Sequence, residues 1–557
     1  MYVLYSVFFA FAAAVLVKHY AIYARHSGIP EIKTLLGGFV IRRFLGAWTL
    51  LTKSVGLCLS VASGLWLGKE GPLVHVACCC ANLLMKPFAV LRQNEARKRE
   101  VLSAAASAGI SVAFGSPIGG VLFSLEQLSY YFPDKTMWQS FVCAMVAAVS
   151  LQFLNPFRTG KLVLYQVQYT RGWHDFEMVP YAILGILGGL YGAFFIKMNM
   201  HVASWRKTSW FRYFPILEVV LVALVTALMN FPVSYMRLQS SELVAYLFQE
   251  CSNAPDPLGL CKDKTAQPIS LLLLSAAIGL IMASITFGLQ LPAGVILPSM
   301  AIGALYGRAI GITVQSWQTL YPTAWIFRSC QPDVQCVTPG VYAIIGAASA
   351  LAGVTRMTVS IVVIMFELTG VLTYVLPIMI AVMISKWVGD AFGKKGIYES
   401  WIHFKEYPYL ENKDDYVPDI LASKIMTRIE DLVVITATGN SINSLEQLLQ
   451  TQPYKGFPVV TNTREAHLLG YISRSELRQA IEKATTQKHL PPHTECIFST
   501  TSSYSTPDPQ PMYPSSASVL DLRPWLDQTP ITLPSKSSLL LTTNLFAKLG
   551  LRMWPLL

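Results

Sequence analysis

The chain predicts an all-α polytopic membrane protein with a C-terminal α/β region, and three observations carry that reading. Only 13% of its 557 residues are charged and 53% are hydrophobic, whereas soluble domains carry about 25% charge. The missing charge is concentrated: residues 1–400 hold long uncharged apolar runs, and the texture after about Glu406 turns charged and turn-rich. Gly/Pro segments interrupt those runs, leaving several helices too short or too broken to span a membrane alone. A single soluble enzyme of this length is disfavoured. A nucleic-acid binder is disfavoured too, because its Lys and Arg would come on top of a normal charge load. The +11 balance, 43 basic minus 32 acidic side chains, fits a membrane protein with basic cytosolic loops.

Taken in order, Met1 leads at once into YVLYSVFFAFAAAVLV. It lacks a basic n-region and a small-residue cleavage site, so it reads as a membrane helix and not a signal peptide. The chain is expected to begin inside a membrane domain. Uncharged runs follow at 136–157, 178–196 and 368–385, and the longest covers 265–307. A helix needs roughly 20 apolar residues to cross the hydrocarbon core, so this last run must hold two elements, with LPAGVILP between them. On the order of a dozen embedded helices result. GILGGLYG (185–192) superficially looks like a dinucleotide loop, but inside an apolar run its small residues let helices pack closely.

One repeat stands out. SAAASAGISVAFGSPIGGVLFSLEQL (103–128) is echoed by GAASALAGVTRMTVSIVVIMFELTG (346–370). Ala106-Ser107-Ala108 matches Ala348-Ser349-Ala350, and Glu126 pairs with Glu367 once one residue is skipped. Duplicated halves are common in transporters, where broken helices of both halves meet at a midplane site.

Three Gly/Pro breaks each precede a fresh apolar stretch: Ser27-Gly28-Ile29-Pro30, Gly68-Lys69-Glu70-Gly71-Pro72 and Gly294-Val295-Ile296-Leu297-Pro298. Pro favours the first turn of a new helix, whose first N–H groups have no partner within it. Inside a membrane those donors must be satisfied. An anion serves, because the positive end of the helix dipole adds to the hydrogen bonds. The plain alternative is a set of kinks packed against neighbours; three such breaks, each opening a helix, favour an anion pathway. A carboxylate in an apolar run is expensive and usually functional. Glu70 would compete with the anion for the same N–H groups, as a gate that responds to pH and voltage. The alternative is a Glu paired with Lys69 at a loop surface.

Of ten cysteines, Cys58, Cys78, Cys79, Cys80, Cys143 and Cys496 show no zinc-site spacing with His. Cys251 with Cys261 and Cys330 with Cys336 bracket loops and are expected as disulfide pairs if those loops face a lumen; inert thiols are the other reading. After a connector over 401–420, residues 421–485 read as an α/β unit with strands LVVIT, FPVVT and GYIS and helices SINSLEQLLQ and RSELRQAIEKA. The Ser/Thr/Pro-rich stretch 486–518 reads as a flexible linker. The apolar-patterned piece 519–557 is too short for its own core.

SGIPEIK, GKEGPLVHVACC, GVLFSLEQLSYYFP, LPSMAIGA, GVTRMTVS, FELTG and SKWVGDAFGKKGIYE together resemble the CLC chloride channel and chloride/proton exchanger family, over most of residues 1–400 and closest to its intracellular-organelle branch. The resemblance implies the CLC fold, an inverted repeat of broken helices, in a homodimer whose subunits each have a pore. It implies that Ser27 and Tyr398 coordinate chloride through their hydroxyls, that the backbone amides of Val295 and Ile296 complete the site, and that Glu70 is the gating glutamate. Ser27 favours chloride over nitrate by the same analogy. The tail resembles paired CBS modules, with 421–485 as the first and 519–557 as a truncated second. Tyr454 matches a position that stacks on adenine in nucleotide-binding relatives; a surface Tyr before a strand is the alternative. No cofactor is required, and an ATP site in the tail would be incomplete because the second module stops before its Asp-bearing strand. The bilayer, chloride and protons are the expected partners, in a Golgi, endosomal or vacuolar membrane with the tail cytosolic.

The sequence departs from the family in ways that matter. His26 replaces the usual Gly before Ser27, and Ile296 the usual Phe, which spares the amide but changes the pore wall. At least one helix ahead of the one leading into SGIP is expected to be missing. Exchangers carry a Glu-Glu pair whose second member accepts the proton, and here the pair reads Glu126-Gln127. Gln hydrogen-bonds but has no proton to trade near neutral pH. The reading is voltage-gated chloride transport with weak or no proton coupling. The alternatives are a chloride/proton antiporter in which Glu126 takes the role, and a membrane-anchored adenine-nucleotide sensor. No H-E-x-x-H or G-x-S-x-G supports an intramembrane enzyme.

Overall fold

Helices in the unit Met1–Tyr409 run from 5 to 31 residues, and a new helix starts at each of the three Gly/Pro breaks. The structure, a computed structural model, describes all residues except 130–132, 155–164, 166, 168, 170–171, 251–265, 331–335, 408–417, 429–430, 463–466, 488–489, 499–518, 531 and 550–557. α1 (Tyr2–Tyr20) leads to α2 (Ile29–Leu36), which starts behind Gly28 at φ +84° with Pro30 in its first turn. α3 (Ala47–Ala62) precedes α4 (Glu70–Met85), which opens on the second break. A short α5 (Ala89–Gln93) precedes α6 (Glu95–Phe114), capped by the Asn94 side chain accepting from the Ala96 and Arg97 N–H groups. α7 (Pro117–Phe123) passes into a π-helical turn over Ser124–Leu128, and α8 (Asp134–Leu154) follows. α9 (Met178–Thr208), α10 (Pro215–Asn230) and α11 (Ser240–Phe248) come next. The uncharged run 265–307 then divides as its length demands, into α12 (Ala266–Thr286) and the start of α13 (Ile296–Leu320). α14 (Pro339–Thr355), α15 (Val359–Thr369), α16 (Val375–Phe392) and α17 (Ile397–Phe404) close the unit. Among the described residues six segments are long and apolar enough to cross a membrane.

The centre of this unit is α14, buried along all 17 residues and packed on α13 and α9. Close approach there depends on residues without side chains. A Cβ at Gly188 would come within 2.6 Å of the Ser349 carbonyl, one at Gly189 within 2.7 Å of the Ser385 carbonyl, and Gly192 lies against Gly353. GILGGLYG is thus a helix-packing face. The repeat maps onto α6–α7 and α14–α15. Each first helix ends in a left-handed residue, Gly115 (φ 68°) and Arg356 (φ 64°), before the shorter partner begins. Arg308, 1% exposed within α13, donates to the carbonyls of Leu247 and Gln249 at 3.1 and 2.8 Å. It thereby satisfies the C-terminus of α11. Cys330 and Cys336 form a disulfide; Cys251 and Cys261 lie outside the described residues.

The second unit, Leu410–Leu557, carries two small sheets. In one, β1 (Ile435–Thr436) runs parallel to β3 (Gly456–Val460), which pairs antiparallel with β4 (Leu468–Ser473). In the other, β2 (Asn440–Ser441) pairs antiparallel with β5 (Glu495–Ile497), itself parallel to β6 (Leu520–Asp521). α18 (Ile442–Thr451) and α19 (Arg474–Gln487) bury Leu445, Leu477 and Ile481 with Phe457, Val459 and Ile472. The stretch 486–518, expected as a flexible linker, is corrected in part: Cys496 and Phe498 are core residues, and their apolar character draws Glu495–Ile497 into a sheet. Leu520 and Leu522 join that same core, so the piece from 519 has no core of its own in its described part. α20 (Leu539–Leu549) is its last described element.

Candidate functional site

The three breaks meet in space. Gly68 and Gly294 exchange two backbone hydrogen bonds of 2.8 Å, tying the loop before α4 to the loop before α13. A Cβ at Gly71 would lie 2.8 Å from Cβ of Ser27, so the start of α4 also sits on the residue that opens the turn into α2. Val295 is the N-cap of α13 and Ile296 its first residue, both buried. Tyr398, fully buried in the first turn of α17, has a hydroxyl without a hydrogen-bond partner among the described residues. Ser27 is 1% exposed, and its Oγ accepts from the Ile29 N–H at 3.4 Å. Four helices therefore begin at Ser27, Glu70, Val295–Ile296 and Tyr398. Their open N–H groups and dipoles give the place a positive potential.

Glu70 is the first residue of α4 and is 1% exposed, not on a loop surface. One carboxylate oxygen, Oε2, is buried without a hydrogen-bond partner among the described residues. A Cβ on Gly68 would strike that oxygen and come 3.2 Å from the Leu297 nitrogen, so the carboxylate lies beside the first turn of α13. It is within electrostatic reach of the Tyr398 hydroxyl and of Tyr165, whose hydroxyl is also buried and unpartnered.

His26 has φ +59°, the left-handed region that glycine adopts freely. Its N–H donates to Leu291 (2.7 Å), its carbonyl accepts from Lys53 Nζ (2.9 Å), and its ring lies 5.4 Å from that of Trp401 in α17. Two ion pairs, Lys33–Glu399 at 3.3 Å and Lys405–Glu31 at 2.5 Å, bind α2 to α17. Lys53, Glu31 and Lys33 were not anticipated as parts of the site; the signal was available in Lys53, a lone charge inside the apolar run of α3.

The Glu126-Gln127 pair lies in the π-helical turn. Glu126 Oε1 accepts from the Thr358 N–H and hydroxyl (2.6 and 2.9 Å), and Oε2 from the Ser360 N–H and hydroxyl (3.0 and 2.5 Å). These four donors form the start of α15. Its repeat counterpart does the reverse. Glu367 accepts from the Ser116 hydroxyl and from the Ile118 and Gly119 N–H groups (3.2 and 2.8 Å) at the start of α7. Each copy thus caps the other's short helix. Gln127 is 7% exposed. Tyr454, in the separate second unit, has an exposed ring ahead of β3, and its carbonyl accepts from Arg474.

A family model described as voltage gated chloride channel matches residues 9–390. The chain belongs to the CLC family. This CLC protein is 45% identical over 575 residues to the H(+)/Cl(-) exchange transporter 5 of Cavia porcellus, covering 99% of this chain and 76% of that one. It is equally similar, over 577 residues, to the H(+)/Cl(-) exchange transporter 3 of Homo sapiens, covering 99% and 70%. Among solved structures, a eukaryotic CLC transporter matches with a TM-score of 0.67 at 26% identity, covering all of this chain and 86% of that one. A slow cyanobacterial Cl-/H+ antiporter matches at TM-score 0.59 and 20% identity over 72% of this chain and 86% of that one, a likeness of fold alone. The fold is the CLC fold, the protein is a multi-pass membrane protein, and its relatives are transporters, not enzymes.

Proposed function

We propose that this CLC protein carries chloride across a membrane through the site formed by Ser27, Tyr398 and the amides of Val295 and Ile296, with Glu70 as its gate. The carrying observation is the Glu70 carboxylate, buried at converging helix N-termini with one oxygen unpartnered. An anion and a tethered carboxylate compete for the same donors. Protonation or displacement of Glu70 frees the path, which makes flux depend on pH and voltage.

Proton coupling in this chain is weak or absent. Gln127 does not titrate near neutral pH, and Glu126 is committed on both oxygens to four donors at the start of α15. Protonating it would forfeit charge-assisted hydrogen bonds. The second reading, chloride/proton exchange, is supported by the 45% identity to proteins named H(+)/Cl(-) exchange transporters. The reversal potential across a pH gradient in reconstituted vesicles separates the two. A shift of the size a fixed stoichiometry demands would sink the uncoupled reading. The protein works as a homodimer in an organelle membrane with its tail in the cytosol. The tail is regulatory at most, and chloride flux measured in the absence of ATP would argue against a nucleotide sensor.

A further inference from the structure

The disulfide Cys330–Cys336 has a third residue beside it, from a distant part of the chain. The ligand atoms of His174, Cys330 and Cys336 all lie within 4.8 Å of one another. Among the described residues no other group of three or more His, Cys, Asp or Glu side chains comes together in this way. Tetrahedral zinc, with bonds of about 2.3 Å to thiolate and about 2.0–2.1 Å to imidazole, needs its ligand atoms about 3.6–3.8 Å apart. The cluster is within a side-chain adjustment of that spacing, and breaking the S–S bond lets the two sulfurs part.

The frame around the cluster is packed. His174 stacks on Phe176 with ring centroids 5.9 Å apart, Phe176 meets buried Phe327 edge-on at 5.3 Å, and Phe327 meets Trp317 of α13 at 5.4 Å. The Cys330 N–H donates to the Phe327 carbonyl at 2.9 Å. Cys336, 6% exposed, stands just ahead of Thr338, the N-cap of α14. The His174 N–H donates to Glu177 Oε2 at 3.1 Å, and Glu177 Oε1 accepts from the Tyr342 hydroxyl of α14 at 3.2 Å. The three ligands therefore join the head of α9 to the head of α14.

The cluster also has a defined side. α9 is about 46 Å long at 1.5 Å per residue, more than the roughly 30 Å of the hydrocarbon core. His174 precedes its start, whereas Lys207 at its end donates to the Phe404 carbonyl at 3.2 Å, near the point where the chain leaves the membrane unit. The cluster is thus on the opposite membrane face from that exit. With the tail in the cytosol, this face is luminal, where disulfides form.

We propose that His174, Cys330 and Cys336 form a redox-controlled zinc site, a disulfide when oxidised and a three-ligand Zn2+ site when reduced. A dithiol reductant delivers two electrons and two protons; the S–S bond breaks, two thiols form, and the reductant leaves as its own disulfide. Zn2+ then displaces both thiol protons, and neutral His174 supplies the third ligand through a ring-nitrogen lone pair. Two thiolates balance the charge of the ion, and water takes the fourth position. The inference does not depend on chloride transport.

The test uses the full chain in detergent, as purified and after anaerobic treatment with dithiothreitol followed by its removal. Bound zinc per chain is measured against a chromophoric chelator. Reduction is expected to add one Zn2+ per chain in the wild type and none in C330S/C336S, which keeps every other cysteine. H174A should weaken zinc binding to the reduced protein at least about tenfold, with elution and melting temperature unchanged before reduction. Co2+ in place of zinc should give the visible spectrum of a tetrahedral thiolate complex in the reduced wild type and not in C330S/C336S. No gain of zinc on reduction, or the same gain in C330S/C336S, overturns the site. Unchanged affinity in H174A removes the histidine and overturns the three-ligand assignment.

Discussion

Glu70 and Glu126 are both carboxylates placed at helix starts inside the membrane unit, and they are used in opposite ways. Glu126 reaches across to α15 and accepts four hydrogen bonds from two residues. Glu70 sits at the head of its own helix with one carboxylate oxygen that has no hydrogen-bond partner among the described residues. A charge that is fully paired is a fastener, because moving it costs every bond it makes. A buried charge left short of partners is free to exchange with a ligand. The proposed weak coupling rests on the same contrast: the available acid is fastened, and its neighbour is an amide.

The largest expected effect is on the fastener. Glu126→Ala strands two N–H groups and two hydroxyls and should cost about 3 kcal/mol or more, read as a fall in melting temperature in detergent. Glu367→Ala should cost a similar amount, and a neutral outcome for either would break the reciprocal-cap account. Glu70→Gln should leave stability nearly unchanged while flux loses its pH and voltage dependence, a change of at least about tenfold at unfavourable pH; retained gating would refute the assignment. Gln127→Glu should move the reversal potential toward coupling by a sizeable part of the ~59 mV that a tenfold gradient of a singly charged ion such as the proton carries. An unmoved potential would show that this position does not decide coupling. Smallest is His26→Gly, which should stabilise by about 1 kcal/mol by relieving the left-handed backbone, measured by the same melting assay.

Much of this was legible because membranes impose simple rules. The split at LPAGVILP followed from helix length alone, and the packing role of GILGGLYG from residue size. The breaks at Ser27, Glu70 and Val295 could be named from Gly and Pro, and the repeat from Ala-Ser-Ala with its trailing Glu. What the trailing Glu does was not legible. Capping across copies needs Thr358 and Ser360 to sit opposite Glu126, a tertiary fact that local pattern does not contain. The pairs Lys33–Glu399 and Lys405–Glu31 join positions more than 360 residues apart, and no periodicity announces such partners. In the tail, Glu495–Ile497 escaped notice because its flanks are Ser, Thr and Pro, and three residues are too few to show alternation.

The exchange of caps also bears on how the protein is made. Ser116, at the head of α7, waits for Glu367, which lies 251 residues downstream. At roughly 5–20 residues per second of synthesis the interval is roughly 10–50 s. For that time the first copy stands in the bilayer with its short helix unfinished, and any factor that shields α7 during translation would act in that window.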